Sequence, residues 1–249
     1  MNTMQDNFKF VEVMSNRIFC DELQKIDLSS KQMVIATTNA YSYYQSTRDL
    51  EFKNALTSAD ILLPDGFPWI WAARILKRKK IKKIAGWNIF QHLIGIANEK
   101  NLKVFFLGSS TQTLGLIQEK MQQLYPNVQI ASFSPPYMDV FTKAVNEEII
   151  ELINQQKPDI LFVGMTAPKQ ERWVHQHAQY LNPKIICSIG AVFDFFAGKR
   201  KRPSDIWIHL HMEWLGRFLQ EPSRLWRRYF VYSPQFFFHL LLYFLKIKK

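Results

Sequence analysis

Cysteine is nearly missing from this chain: Cys20 and Cys187 are the two thiols in 249 residues. They cannot form a disulfide framework, and no Cys-x-x-Cys pair offers a zinc or redox site. The N-terminal stretch MNTMQDNFKFVEVM lacks the apolar core of a secretory signal, so a cytosolic chain with two core thiols is expected. No apolar run reaches the roughly 20 residues that a helix needs to cross a bilayer. HExxH, GxGxxG and GxxxxGK[ST] are absent as well, which removes the usual metalloprotease, dinucleotide and P-loop signatures. His175 and His177, like His209 and His211, stand two apart and would point about 200° away from each other on a helix, so no metal site is expected. Acids are in the minority, 21 against 32 Lys and Arg, and the net charge is +11.

What is present is a hydrophobic content of 47%, enough for a sizeable core. Short β-branched or aromatic runs, MVIA (33–36), ILL (61–63), KVFFLG (103–108), VQIASF (128–133), DILFVG (159–164) and KIICSIG (184–190), alternate with amphipathic stretches. That alternation predicts βαβ units and an α/β, Rossmann-like, mostly parallel sheet with flanking helices. Ser110 or Thr111 is placed to cap a helix ending at Leu124, and a second helix is expected to end near Gln156 before Lys157-Pro158. FKFVEVM alternates like an edge strand.

After Gly198 no strand pattern continues, Trp and Arg become frequent, and Pro203, Pro222 and Pro234 divide the rest into helical pieces. Residues 1–198 therefore read as the α/β domain and 199–249 as a basic, aromatic helical appendage. The appendage holds eleven Lys and Arg against Asp205, Glu213 and Glu221, and the block from Arg74 to Lys83 holds seven with no acid. Such runs are usually solvated faces; anionic lipid and nucleic acid are the functional alternatives. The apolar piece Gln235 to Ile247 either lies in a membrane interface, with Trp226, Tyr229, Phe230 and Tyr232 at headgroup level and Arg224, Arg227 and Arg228 on lipid phosphates, or packs on protein.

Ligands of open α/β sheets bind beyond the carboxyl ends of the strands. The polar residues there are Thr37-Thr38-Asn39, Asp65-Gly66, Gly108-Ser109-Ser110, Met165 to Glu171 and Ala191 to Asp194. Gly108-Ser109-Ser110-Thr111 is an anion-friendly turn, because free N–H groups and the helix dipole favour negative charge; a capped turn explains it equally well. Asp65 in LLPDGFPW is either a turn residue or a reactive carboxylate.

Taken in order, ATTNA (36–40), ADILLPDG (59–66), KIAG (83–86), VFFLGSS (104–110), LFVGMTAPKQERW (161–173), IGAVFDFFAGKRKRP (189–203) and MEWLGRFLQEPSRLWRR (212–228) resemble the WecG/TagA/CpsF glycosyltransferase family over about residues 33–234. The resemblance implies a metal-independent, inverting hexosyl transfer, without a cofactor, from a UDP-sugar to an undecaprenyl-diphosphate-linked sugar in cell-surface polysaccharide synthesis. The sugar is N-acetylmannosamine, its uronic acid or another hexose. It implies a nucleotide-sugar-binding catalytic domain over 1–198, with Asp65 as the base and Thr37, Asn39, Lys83, Gly108, Ser109, Gln170 and Asp194 binding substrate. It further implies that Arg217, Arg224, Arg227 and Arg228 face the acceptor diphosphate or the membrane, on the cytoplasmic side.

Lys83 stands where most relatives carry Arg, Trp87-Asn88 replaces a Ser-Asp or Thr-Asp pair, and Arg202-Pro203-Ser204 replaces Arg-Ala-Pro. These departures bear on the donor more than on the reaction class. The competing readings are a basic nucleic-acid-binding protein, for which no motif exists, and a non-catalytic nucleotide-binding scaffold, against which the retained Asn39, Asp65 and Gln170 argue. No nucleic-acid partner is expected, and a homo-oligomer is left open.

Overall fold

The computed structural model describes residues 8–28, 31–201, 207 and 212–246, with Glu213 and Arg224 described in their backbone only. His209, His211 and the stretch 202–206 lie outside the described residues. Six strands form one wholly parallel sheet: β3 (Met33–Thr38), β4 (Ile61–Pro64), β5 (Lys103–Leu107), β6 (Gln129–Phe133), β7 (Ile160–Val163) and β8 (Ile185–Ser188). Their order is β4-β3-β8-β7-β5-β6. All six expected runs are strands of this sheet. β7 and β8 are buried throughout, as uninterrupted apolar runs in a sheet covered on both faces must be.

The N-terminal run forms a strand but not an edge of that sheet. β1 (Phe10–Val13) pairs antiparallel with β2 (Asn16–Phe19) in a separate hairpin, with Val13 opposite Asn16. The two-residue loop Met14-Ser15 has φ of 50° and 58°, the double left-handed geometry that matches strand twist. Asn16 Nδ2 braces it by donating to the Met14 carbonyl at 2.7 Å.

Helices cover both faces. On one, α4 (Gly86–Glu99), α5 (Thr111–Leu124) and α8 (Val192–Ala197) pack Phe90, Leu93, Ile117 and Phe193 onto Ile35, Leu63, Phe106 and Phe162. On the other, α6 (Lys143–Gln156) and α7 (Lys169–His177) bring Ile149, Ile153, Trp173 and Val174 onto Phe105, Leu161 and Ile186. Ser110 is the cap of α5, its Oγ accepting from Thr113 N–H at 3.2 Å. α1 (Ala40–Ser46), α2 (Leu50–Thr57) and α3 (Phe67–Lys77) complete the body.

The C-terminal segment contains α9 (Glu213–Gln220), α10 (Pro222–Trp226), a π-helical turn (Arg227–Tyr232) and α11 (Ser233–Phe244). Phe236 and Leu240 of α11 are buried in a cluster with Tyr43 of α1 and Trp69 and Ala72 of α3. His239 Nδ1 lies 3.3 Å from the Tyr43 hydroxyl, and the Tyr243 hydroxyl lies 3.0 Å from Ser15 Oγ. The opposite side of α11 leaves Phe237, Phe238, Leu241 and Phe244 exposed. Among the described residues no helix is long and apolar enough to cross a membrane.

Candidate active site

Because every strand of the large sheet runs the same way, the expected site residues fall along one edge, at the carboxyl ends. β3 and β4 are registered Thr37 to Leu63 and Thr38 to Pro64, so Asn39 and Asp65 leave neighbouring strands at the same level. The Asp65 N–H donates to the Thr38 carbonyl at 2.8 Å, fixing that alignment. Gly66 follows with φ of 137°, a conformation that side chains rarely adopt, and opens α3 with Pro68 in its first turn. The Pro64-Asp65-Gly66 turn thus holds the Asp65 carboxylate at the edge, half-buried.

Other aspartates show what a structural carboxylate does in this fold. Asp60, ahead of β4, accepts from Val34 N–H at 2.8 Å, and Asp159, ahead of β7, accepts from Lys103 N–H at 3.1 Å. Both fasten the amino ends of strands, and Asp49 caps α2 through Phe52 N–H at 2.9 Å. Asp65 stands at the opposite edge from Asp60 and Asp159.

Cations converge on the Asp65 turn. Ile84 N–H donates to the Pro64 carbonyl at 3.0 Å, which lays the Lys83 segment beside the turn; the Lys83 ammonium sits 5.7 Å from the Phe67 ring centre. From the appendage, the Arg228 guanidinium lies over the Tyr41 ring at 5.0 Å and within the electrostatic field of Asp65. Burial lowers the Arg228 pKa, Tyr229 raises it, the neighbouring Arg217 charge lowers it, and Asp65 and Tyr41 raise it. Arg217 lies over Phe195 of α8 at 4.9 Å. Arg227 points outward over Trp226 at 5.3 Å, and the Arg224 side chain lies outside the described residues.

The remaining expected residues line the same edge with other engagements. Thr37 is half-buried near the end of β3. Asn39 caps α1, its Oδ1 accepting from Tyr41 N–H at 3.0 Å and Ser42 N–H at 3.1 Å, so its amide nitrogen is the end left to face a ligand. Gly108 has φ of 108°, and a Cβ there would fall 2.7 Å from the Gly164 carbonyl oxygen, so β5 and β7 meet at a point that excludes any side chain. Ser109 is also left-handed at 61°, and its carbonyl accepts from Ser134 Oγ at 2.7 Å. Asp194 pairs with Arg200 at 3.3 Å, and Arg200 also reaches Glu221 at 2.9 Å, so this carboxylate ties α8 to the appendage.

Gln170 is buried at 3% exposure; its Oε1 accepts from Met165 N–H at 3.2 Å and its Nε2 donates to Glu171 at 2.8 Å. Glu171, at the end of the Met165–Glu171 stretch, is buried too, and burial pushes its pKa up to about 7. Its second oxygen has no hydrogen-bond partner. It lines a cavity of about 270 Å³ with Ser58, His175 and Ser188, between α2 and α7, and none of the expected site residues lines that cavity. Lys169 covers the Phe141 ring at 3.6 Å.

No three His, Cys, Asp or Glu side chains group as metal ligands among the described residues. His175 Nδ1 lies 2.7 Å from Ser58 Oγ and His177 Nδ1 lies 2.8 Å from the Trp173 carbonyl, so the two engage different partners. The arrangement offers one carboxylate at a turn, hydrogen-bonding groups beside it, and lysine and arginine charge on its flanks. Such a site can take a proton from a hydroxyl while it stabilises a leaving anion.

The chain is 29% identical over 211 residues to an N-acetylglucosaminyldiphosphoundecaprenol N-acetyl-beta-D-mannosaminyltransferase of Bacillus subtilis (strain 168), covering 84% of this chain and 80% of that protein. Proteins of the same name from Bacillus spizizenii, 29% identical, and Staphylococcus aureus (strain MRSA252), 30% identical, each match 80% of this chain and 75% and 76% of their own lengths. The model of the glycosyl transferase WecG/TagA/CpsF family matches residues 8–249, and the chain belongs to that family.

Proposed function

We propose that this glycosyltransferase moves an N-acetylmannosamine-type sugar from a UDP donor to a hydroxyl of N-acetylglucosamine carried on undecaprenyl diphosphate, with inversion. The activity for which the relatives are named supports the acceptor and the sugar type. The observation that carries the reading is the position of Asp65, at the carboxyl end of β4 and level with Asn39, with the Lys83 segment hydrogen-bonded to its turn through Ile84 and the Arg228 charge within its electrostatic reach.

In this reading the acceptor oxygen bonds to the anomeric carbon as the bond from that carbon to UDP breaks. The acceptor proton passes to the Asp65 carboxylate, and UDP leaves as the anion. A carboxylate is a weak base, so the proton moves late, once the hydroxyl is already bonding to carbon. Lys83 neutralises the departing diphosphate, which is how the chain works without a metal. Lys lacks the bidentate fork of Arg, so Lys83 acts as a point charge. Asn39 and Thr37 orient sugar hydroxyls, and the buried Gln170 braces the Met165 segment. Arg217 and Arg228 meet the acceptor diphosphate.

The acceptor carries a long isoprenoid and stays in the bilayer, so the enzyme works at the cytoplasmic membrane surface, with the exposed side of α11 in the interface. The test is a panel of UDP-sugars with a short-chain lipid-diphosphate N-acetylglucosamine acceptor, with and without EDTA. Turnover of UDP-N-acetylmannosamine to a β-linked product, undiminished by EDTA, is the expected result. An α-linked product would exclude inversion from an α-linked donor, and loss of activity with EDTA would exclude metal independence.

A further inference from the structure

The basic block from Arg74 to Lys83 contributes only Lys83 to the reaction described above. α3 buries Trp69, Ala72 and Ala73 against the hairpin, α1 and α11, which turns Trp71, Arg74, Ile75 and Arg78 outward at helical spacing. Trp71 is 51% exposed and Ile75 49% exposed. The Trp71 ring lies 5.9 Å from that of Phe237 on α11, where Phe238 and Leu241 are likewise exposed at 55% and 51%. The two helices thus present one continuous apolar strip. Arg74, Lys77, Arg78, Lys80 and Lys82 border it, all exposed, and no acid occurs between positions 74 and 83.

We infer that α3 and the Lys77–Lys82 segment form, with α11, a single bilayer-contacting face, Trp71 and Ile75 entering the headgroup layer and the flanking cations binding anionic lipid phosphates. Tryptophan and aliphatic groups framed by cations suit a membrane interface, whereas a nucleic-acid backbone would recruit the cations and leave the apolar strip in water. Position matters as well. Trp71 is five residues past Gly66, about 8 Å along the helix axis, so a bilayer touching Trp71 lies close to the Asp65 turn. This inference rests on the membrane part of the proposed function and extends it from the C-terminal helix to the α/β body.

The full chain is tested by co-sedimentation with phosphatidylcholine vesicles, with or without phosphatidylglycerol, and by binding to duplex DNA at the same salt. Arg74→Gln, Lys77→Gln and Arg78→Gln together are expected to weaken binding to the anionic vesicles on the order of 100-fold, since each cation near the surface contributes severalfold. Trp71→Ser with Ile75→Ser is expected to weaken binding to both vesicle types, while turnover of a water-soluble short-chain acceptor is kept. If the wild type sediments with vesicles and both α3 variants sediment equally well, α3 has no part in docking and the inference is overturned while the α11 reading stands. A wild type that binds DNA and no vesicles overturns both.

Discussion

At the scale of single residues, Asp65 and Glu171 show how position decides what a carboxylate can do. The position of Asp65 is legible in the sequence because Pro64 and Gly66 mark a turn directly after an apolar run, and a parallel sheet delivers that turn to its carboxyl edge. Glu171 is not legible, because its burial comes from α2 and β8, which are remote in sequence. Its raised pKa has a defined consequence for stability. The folded state holds a proton that the unfolded chain releases between its ordinary pKa of 4.5 and about 7, so stability falls as pH rises through that window. Glu171→Gln is expected to remove this dependence and to raise stability at pH 8 by up to roughly 3 kcal/mol. Thermal unfolding of both proteins from pH 5 to pH 8 measures it; curves that stay parallel would show that Glu171 ionises without cost.

At the scale of elements, regular apolar periodicity was readable and unusual backbone was not. The six parallel strands match their apolar runs to within a few residues, since strands covered on both faces need continuous hydrophobic sequence. The β1–β2 hairpin is only half legible because its turn is Met14-Ser15, with neither Asn nor Gly to signal left-handed backbone. The π-helical turn was equally hidden, as Arg227–Tyr232 has the composition of an ordinary helix. That turn seats Arg228: Tyr232 stacks on Tyr44 at 5.0 Å and leans on Tyr41 at 5.6 Å, and Tyr41 in turn lies under Arg228. Tyr232→Ala is expected to lower kcat/KM for the lipid acceptor about tenfold, the worth of one good aromatic contact, with UDP affinity unchanged and Tyr232→Phe near wild type. Isothermal titration with UDP beside initial-rate kinetics separates the two effects, and equal loss in both would mean that the turn supports the donor site instead.

At the scale of the whole molecule, composition sets a basic tail apart from an α/β body, and the tail is docked on that body. Phe236 and Leu240 complete an apolar cluster that begins with Val13, Ile18 and Trp69, and Arg200 joins Asp194 to Glu221. Sequence could not reveal this, because the tail is apolar on nearly all sides and the choice of which side meets protein is made by Tyr43 and Trp69. Its outer side then aligns with α3, and the parallel sheet turns its carboxyl edge toward the same region through the Asp65–Gly66 start of that helix. Fold, charge and the family to which the chain belongs thus all bear on one proposed event, the attack of a lipid-borne hydroxyl on a nucleotide sugar beside Asp65. The most direct test is Asp65→Asn, assayed for transfer to the lipid-diphosphate acceptor alongside UDP binding. Loss of a general base predicts a fall in kcat of about 10²- to 10⁴-fold with UDP affinity retained. Transfer at near the wild-type rate would contradict the account, for the carboxylate would then have no part in taking the proton.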